Sequence, residues 1–392
     1  MRKFIKEVAK CTSVVLAISI GASTMFVGCN PTTEKSDNQE NIEYTTEDTY
    51  GTSTEIQNST VEVTSVTSES TDGSAETTET TAVNNEGSGV NISTYITQHK
   101  AYPPMWKVTD NSGNIIYMLG TMHLATEYTF PLPDEVYDVY NKSDGVAVEY
   151  DIKSLQSNLS ETMKLTKPLM YTDGTTIKDH ISEEAYNIGK EKIKNYGMWN
   201  ETLNYLKPSY WLDIMQSMSV NSIQGISEDG IDMTFINKAY EDNKPVISIE
   251  TLETQGELLG MYSDAMVEFI LLNDSESLDC TEETVKQMAE LYNAWASGDL
   301  DKTLELAGYD ETTVDLSDTA DIPDELLKEA SEYNKILLDD RNKVMVNRAE
   351  EFMRNGDNYF YMVGTLHYLG ENGIISLLEN DGYTVERVEY KR

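Results

Sequence analysis

Tyr117-Met118-Leu119-Gly120-Thr121-Met122-His123 returns near the far end of the chain as Tyr361-Met362-Val363-Gly364-Thr365-Leu366-His367. In each copy an apolar, strand-like run breaks at a glycine and delivers an imidazole three residues later. The chain has only four histidines, so two of them end these copies. A rare, versatile side chain placed twice in one local setting points to a two-fold pseudo-symmetric site.

Outward from the first copy, Met105–Val108 and Ile115–Leu119 flank Asp110-Asn111-Ser112-Gly113-Asn114, a dense turn signal. Two β-rich runs around such a turn predict a hairpin. Val146-Ala147-Val148-Glu149 and Pro245-Val246-Ile247-Ser248-Ile249-Glu250 are short apolar runs that each end in a glutamate. Between and after them, apolar spacing of three to four residues predicts helices over 182–196, 208–220, 231–242, 254–272, 281–296, 323–354 and 370–380. Strands are predicted at 358–363 and 383–390. Trp211, Met215 and Met218 share one helical face, which reads as core or as an adaptable binding surface. The mixture predicts an α/β (α+β) domain with hairpins near the termini and a helical middle. No P-loop, dinucleotide-binding glycine motif or nucleophile elbow is present.

The N-terminal quarter has a different composition. Arg2, Lys3, Lys6 and Lys10 precede an apolar stretch, Ser13–Val27, that is short for a membrane span and fits a secretory signal. Phe26-Val27-Gly28-Cys29 resembles a lipobox, apart from Phe26 where an aliphatic residue is usual. Residues 1–28 are therefore expected to be a lipoprotein signal, with an ordinary signal peptide or a short uncleaved anchor as the alternatives, and Cys29 is the lipidated residue in the first case. Residues 29–95, rich in Thr, Ser and Glu, hold too little apolar surface to fold and are expected to be a disordered tether. Residues 96–392 form the expected folded domain, anchored by lipid at the outer face of a cell membrane.

The formal net charge is −39, which disfavours nucleic acid and anionic headgroups. Cys280 is the one cysteine beyond the signal and Cys29, so neither an internal disulfide nor a cysteine-rich zinc cluster is available. The domain must stand on its core.

His123, Glu149, Glu250 and His367 all fall at the ends of apolar strands, where sheet edges gather side chains distant in sequence. Two imidazoles with one or two carboxylates make a first shell for a divalent metal. A carboxylate left off the metal would serve as general base. Arg341 is either a solvated helix charge or a partner for a carboxylate of the site or substrate. Thr121 and Thr365 are turn residues or orient the histidines. His180 and His99 have no matching partners and read as structural and exposed, respectively.

These pieces resemble the TraB/PrgY/GumN family, which includes the animal Tiki proteins. The resemblance rests on 117–123, Val148-Glu149-Tyr150-Asp151, Gly230-Ile231-Asp232, Lys244–Thr251 with Gln255, Arg341-Asn342, and Val363–Ile374 with Gly382–Val385. It implies an α/β fold built from two pseudo-symmetric halves with a mixed sheet, similar to erythromycin esterase and haem-binding ChaN-like proteins. It also implies a metal-dependent peptidase using Mn, Co or Zn, with His123, His367, Glu149 and Glu250 at the metal and Arg341 in support. Two other readings remain open. One is a non-catalytic module sequestering a peptide or small ligand such as haem; the other is a metal-free hydrolase with a histidine base.

Overall fold

The computed structural model describes residues 90–391 apart from 156–157, 228 and 309–321. The signal segment, Cys29 and residues 30–89 of the expected tether lie outside the described residues. Among the described residues no helix is long and apolar enough to cross a membrane. Ordered structure reaches back before residue 96, since Ile92 is buried in the core.

The hairpin forms as the turn signal requires. β1 (Met105–Thr109) pairs antiparallel with β2 (Ile115–Thr121), and the Asp110 carboxylate accepts from the Ser112 and Asn114 amides across the turn. β3 (Gly145–Val148), β4 (Val246–Ser248), β5 (Tyr359–Gly364) and β6 (Thr384–Arg387) complete one mixed sheet, ordered β4-β3-β5-β2-β1-β6. β4, β3, β5 and β2 are mutually parallel, while β1 runs against both β2 and β6. Parallel pairing needs cover on both faces, and β5 shows it. Phe360 and Met362 enter one core cluster, Tyr361 and Val363 the other.

Helices Asp134–Lys142, Ile231–Glu241 and Glu282–Ser297 supply the first of these cores, with Tyr140, Phe235 and Trp295 fully buried. Phe235 meets Phe360 edge-on at 5.7 Å. The opposite face is covered by helices that include Glu183–Asn195, Pro208–Asn221, Asp264–Asp274 and Asp340–Asn355. Trp211 and Met215 are core residues there.

Two expected helices are divided. The run 254–272 becomes Leu252–Leu259 and Asp264–Asp274, because Gly260 closes the first and the Ser263 side chain caps the second. The run 323–354 becomes Asp324–Asn334 and Asp340–Asn355, joined by a π-helical turn at Lys335–Asp339. The expected pseudo-symmetry takes a specific form at the repeated motifs. β2 and β5 are adjacent and parallel, with Gly120 opposite Val363 and Thr121 opposite Gly364. The pairing is offset by one residue from the motif, so the copies lie side by side with equivalent residues facing opposite ways: Met118 packs in one core and Met362 in the other, Leu119 and Val363 the reverse.

Candidate active site

Four parallel strands end at one edge, and each is followed by one of the four candidate residues. His123 lies two residues past β2, Glu149 one past β3, Glu250 two past β4, and His367 three past β5. Pairing continues beyond β3 and β4: the Ile249 amide donates to Val148 O at 2.8 Å and the Glu250 amide to Glu149 O at 3.0 Å. This sets the two glutamates side by side. The motif threonines tie the copies together, with Thr365 Oγ1 donating to Thr121 O at 2.9 Å.

Arg341 holds both carboxylates. Its Nε donates to Glu250 Oε1 at 2.8 Å, and its Nη2 donates to Glu250 Oε2 at 2.6 Å and to Glu149 Oε2 at 2.7 Å. The π-helical turn aims Leu337 O at Nη1, 3.0 Å away. Such turns recur at functional sites because they displace one helical turn. Gln255 Nε2 also donates to Glu250 Oε2, at 2.8 Å. Both Glu250 oxygens are therefore engaged within the protein, which makes this residue the anchor of the guanidinium. Arg341 in turn spends its fork on carboxylates of the chain itself.

Glu149 has a freer oxygen. Its Oε1 accepts from the Gly364 amide at 2.8 Å and faces both imidazoles, 4.0 Å from His123 Nε2 and 3.8 Å from His367 Nε2. Both Nε2 atoms are buried without a hydrogen-bond partner among the described residues. Gly364 permits this convergence, since a Cβ there would stand 3.3 Å from Glu149 Oε1 and 3.6 Å from His123 Nε2.

The other nitrogen of each ring is fixed by a different group. His123 Nδ1 makes an ion-pair contact with Asp232 Oδ2 at 2.7 Å, and His367 Nδ1 lies 2.7 Å from Asn342 Oδ1. Asn342 is held by donating to Asn372 O at 2.8 Å. Asp232 and Asn342 belong to the sequence motifs, but nothing in the sequence assigns them a role. Their signal is proximity in the chain: Asp232 lies two residues past Gly230, whose close packing on His123 leaves no room for a Cβ, and Asn342 follows Arg341.

The two imidazoles are driven apart electrostatically. Burial and the nearby Arg341 push His367 down to about 3, so it is neutral. Burial also acts to lower His123, but the Asp232 carboxylate, with help from Glu149, outweighs it and raises this imidazole above its ordinary value. Burial acts to raise Glu149, yet Arg341 and the histidines hold its carboxyl down at about 2. Away from the site, His180 stacks on Tyr171 with ring centres 3.9 Å apart, and the exposed His99 stacks on Tyr128.

Among the described residues no three His, Cys, Asp or Glu side chains stand together as a ready metal site. The donor set still suits a divalent ion: two imidazole nitrogens without partners converge on one carboxylate oxygen, with each ring fixed from behind as metal-binding histidines are.

A mixed α/β sheet with a histidine–glutamate–arginine cluster at its carboxyl edge is thus the frame of this protein. The chain belongs to the TraB/PrgY/gumN family, whose model matches residues 104–387. A "Metalloprotease TIKI homolog" from Nematostella vectensis is similar, 23% identical over 226 residues that cover 54% of this chain and 46% of that protein. The chain thus spans less than half the length of that relative. No solved structure matches, so the expected likeness to erythromycin esterase and ChaN-like proteins rests on the sequence resemblance alone.

Proposed function

We propose that this chain is a metal-dependent hydrolase acting on peptides at the outer face of a membrane, held there through Cys29 and the tether. The observation that carries the reading is the convergence of two partnerless imidazole nitrogens on Glu149 Oε1. The similar metalloprotease homologue supports the peptide class. His123, His367 and Glu149 would hold the ion, with Mn, Co or Zn suited to such donors. When bound, a divalent ion would polarise a scissile carbonyl and acidify a water. Arg341 keeps Glu149 ionised and fixes its second oxygen, while Asp232 and Asn342 set the two ring orientations.

Element analysis of the purified protein tests this. Bound metal in near-stoichiometric amount is expected, lost together with peptide cleavage in His123→Ala and His367→Ala. Unchanged metal content and cleavage in both variants would sink the proposal.

The opposed environments of the two histidines support a second reading, a metal-free hydrolase. The neutral His367 would serve as the base, and His123, whose affinity for a proton Asp232 raises, as the acid. Cleavage that survives exhaustive chelation would favour this version over the first.

A further inference from the structure

The turn after His367 has no counterpart in the sequence after His123, which continues Leu124-Ala125-Thr126 without a glycine. Leu369–Gly373 doubles back, with Gly370 at φ 81° and the Gly373 amide donating to Gly370 O at 3.2 Å. A Cβ at Gly373 would stand 2.3 Å from Leu369 O, so the turn admits no side chain there. It presents the Asn372 carbonyl to the Asp340–Asn355 helix, where that oxygen accepts from Asn342 Nδ2 at 2.8 Å. The π-helical turn braces the same loop, because the Asn372 side chain donates to Asp339 Oδ2 at 3.3 Å.

The Asn372 carbonyl decides which way the Asn342 amide points. A flipped amide would set its oxygen 2.8 Å from another oxygen with no hydrogen between them. Asn342 Oδ1 is therefore the atom that meets His367 Nδ1 at 2.7 Å. An amide oxygen only accepts, so Nδ1 carries a hydrogen. Asn342 is 1% exposed and His367 fully buried. A further hydrogen on His367 Nε2 would be a buried donor without an acceptor, since Glu149 Oε1 is 3.8 Å away, beyond hydrogen-bond reach. The ring thus holds a single hydrogen, on Nδ1, and turns the bare lone pair of Nε2 toward Glu149. A metal ligand needs that lone pair.

We propose that Asn342 is a positioning residue that holds His367 in its ligand tautomer, and that the 369–373 turn acts on the ring through it. The inference rests on the metal-dependent reading and adds how the second imidazole is made ready for an ion.

The use of an amide, where His123 has the acid Asp232, follows from the same contacts. An aspartate at 342 would face Asn372 O with no hydrogen to give. It would also add a charge to a buried cluster. Three carboxylates there, Glu149, Glu250 and Asp232, against one guanidinium, Arg341, already leave two negative charges, the number that one divalent ion cancels.

Nitrogen NMR of the metal-free, full-length protein, labelled at histidine, reads the tautomer directly. The His367 signal is the one lost in His367→Gln. It should show the hydrogen on Nδ1 and a bare Nε2. Asn342→Leu has a similar shape but removes the acceptor, and its His367 ring should pass to the Nε2–H form or to a mixture of the two. A role confined to packing would leave the tautomer unmoved. Zinc affinity, measured by competition with a chromophoric chelator, should fall about 10- to 100-fold in the same variant. A wild-type His367 with its hydrogen on Nε2 would overturn the proposal, and that measurement needs no variant to fold beyond the one used for assignment. So would an Asn342→Leu protein that keeps the Nδ1 hydrogen or binds zinc as tightly as the wild type. A wild type that shows the Nδ1 hydrogen but takes up no zinc upholds the tautomer and sinks the metal-dependent reading alone.

Discussion

Replacing Arg341 by methionine should expose how the site is held. The guanidinium is 5% exposed and makes three charge-assisted bonds of 2.6–2.8 Å to two carboxylates. Methionine keeps the stem and removes the charge, leaving Glu149 and Glu250 buried and facing each other. Removing one member of a buried charge cluster costs about 3–5 kcal/mol while the other charges persist. Protonation limits that cost. From an ordinary value of 4.5, neutralising one carboxylate at pH 7 requires about 3 kcal/mol, and at pH 5 under about 1 kcal/mol. The defect should therefore be near 3 kcal/mol at pH 7 and shrink by about 2 kcal/mol at pH 5. The wild type should behave oppositely. Its Glu149 sits at about 2 in the fold, so the stability this gives is present above 4.5 and is lost as pH falls toward 2. Urea unfolding at both pH values measures the two trends, and adding Glu250→Gln to the methionine variant should recover part of the loss. A defect under about 1 kcal/mol at pH 7, or one equal at both pH values, would refute the account.

Two glycines should respond differently to alanine. At Gly364 the added Cβ meets only side-chain tips at 3.3 Å and beyond, so stability should change by under about 1 kcal/mol while activity falls at least tenfold. At Gly230 it would lie 2.3 Å from the His123 carbonyl, so the loop must move; a loss above about 2 kcal/mol in thermal or urea unfolding is expected. Asp232→Asn removes the main charge that raises His123, and NMR titration should show that imidazole titrating at lower pH than in the wild type. His367, held at about 3, should stay neutral in the folded protein down to pH 4. Its contribution to stability is complete above its ordinary value of 6.5 and is lost as pH falls from there toward 3.

Much of this was readable in the chain. Alternation and turn chemistry located the β1–β2 hairpin, and the carboxylates of Glu149 and Glu250 stood out because apolar strands rarely end in buried charge. What the two glutamates do was not readable. They look alike in sequence, yet Glu250 meets Gln255 and the full fork of Arg341, while Glu149 keeps one oxygen turned to the histidines. That difference comes from the Asp340–Asn355 helix and its π-helical entry, which no periodicity reveals. Asp232 and Asn342 were missed as ring partners for a related reason: each sits on a helix whose docking against the sheet edge is decided by tertiary contacts. The division of 254–272 was more local, since Gly260 and Ser263 spelled it out within the apolar pattern.

The position of β5 has a consequence for how this protein is made. β5 lies between β3 and β2, so those two strands have no shared edge until it arrives. The bond that joins the two motif threonines spans 244 residues of chain. A nascent chain emerging from the N-terminus therefore carries His123 and Glu149 for most of its synthesis without any means of assembling them. Assembly of this edge is a late event, set by the last tenth of the polypeptide, and a product truncated before residue 359 should lack the proposed activity wherever it is delivered.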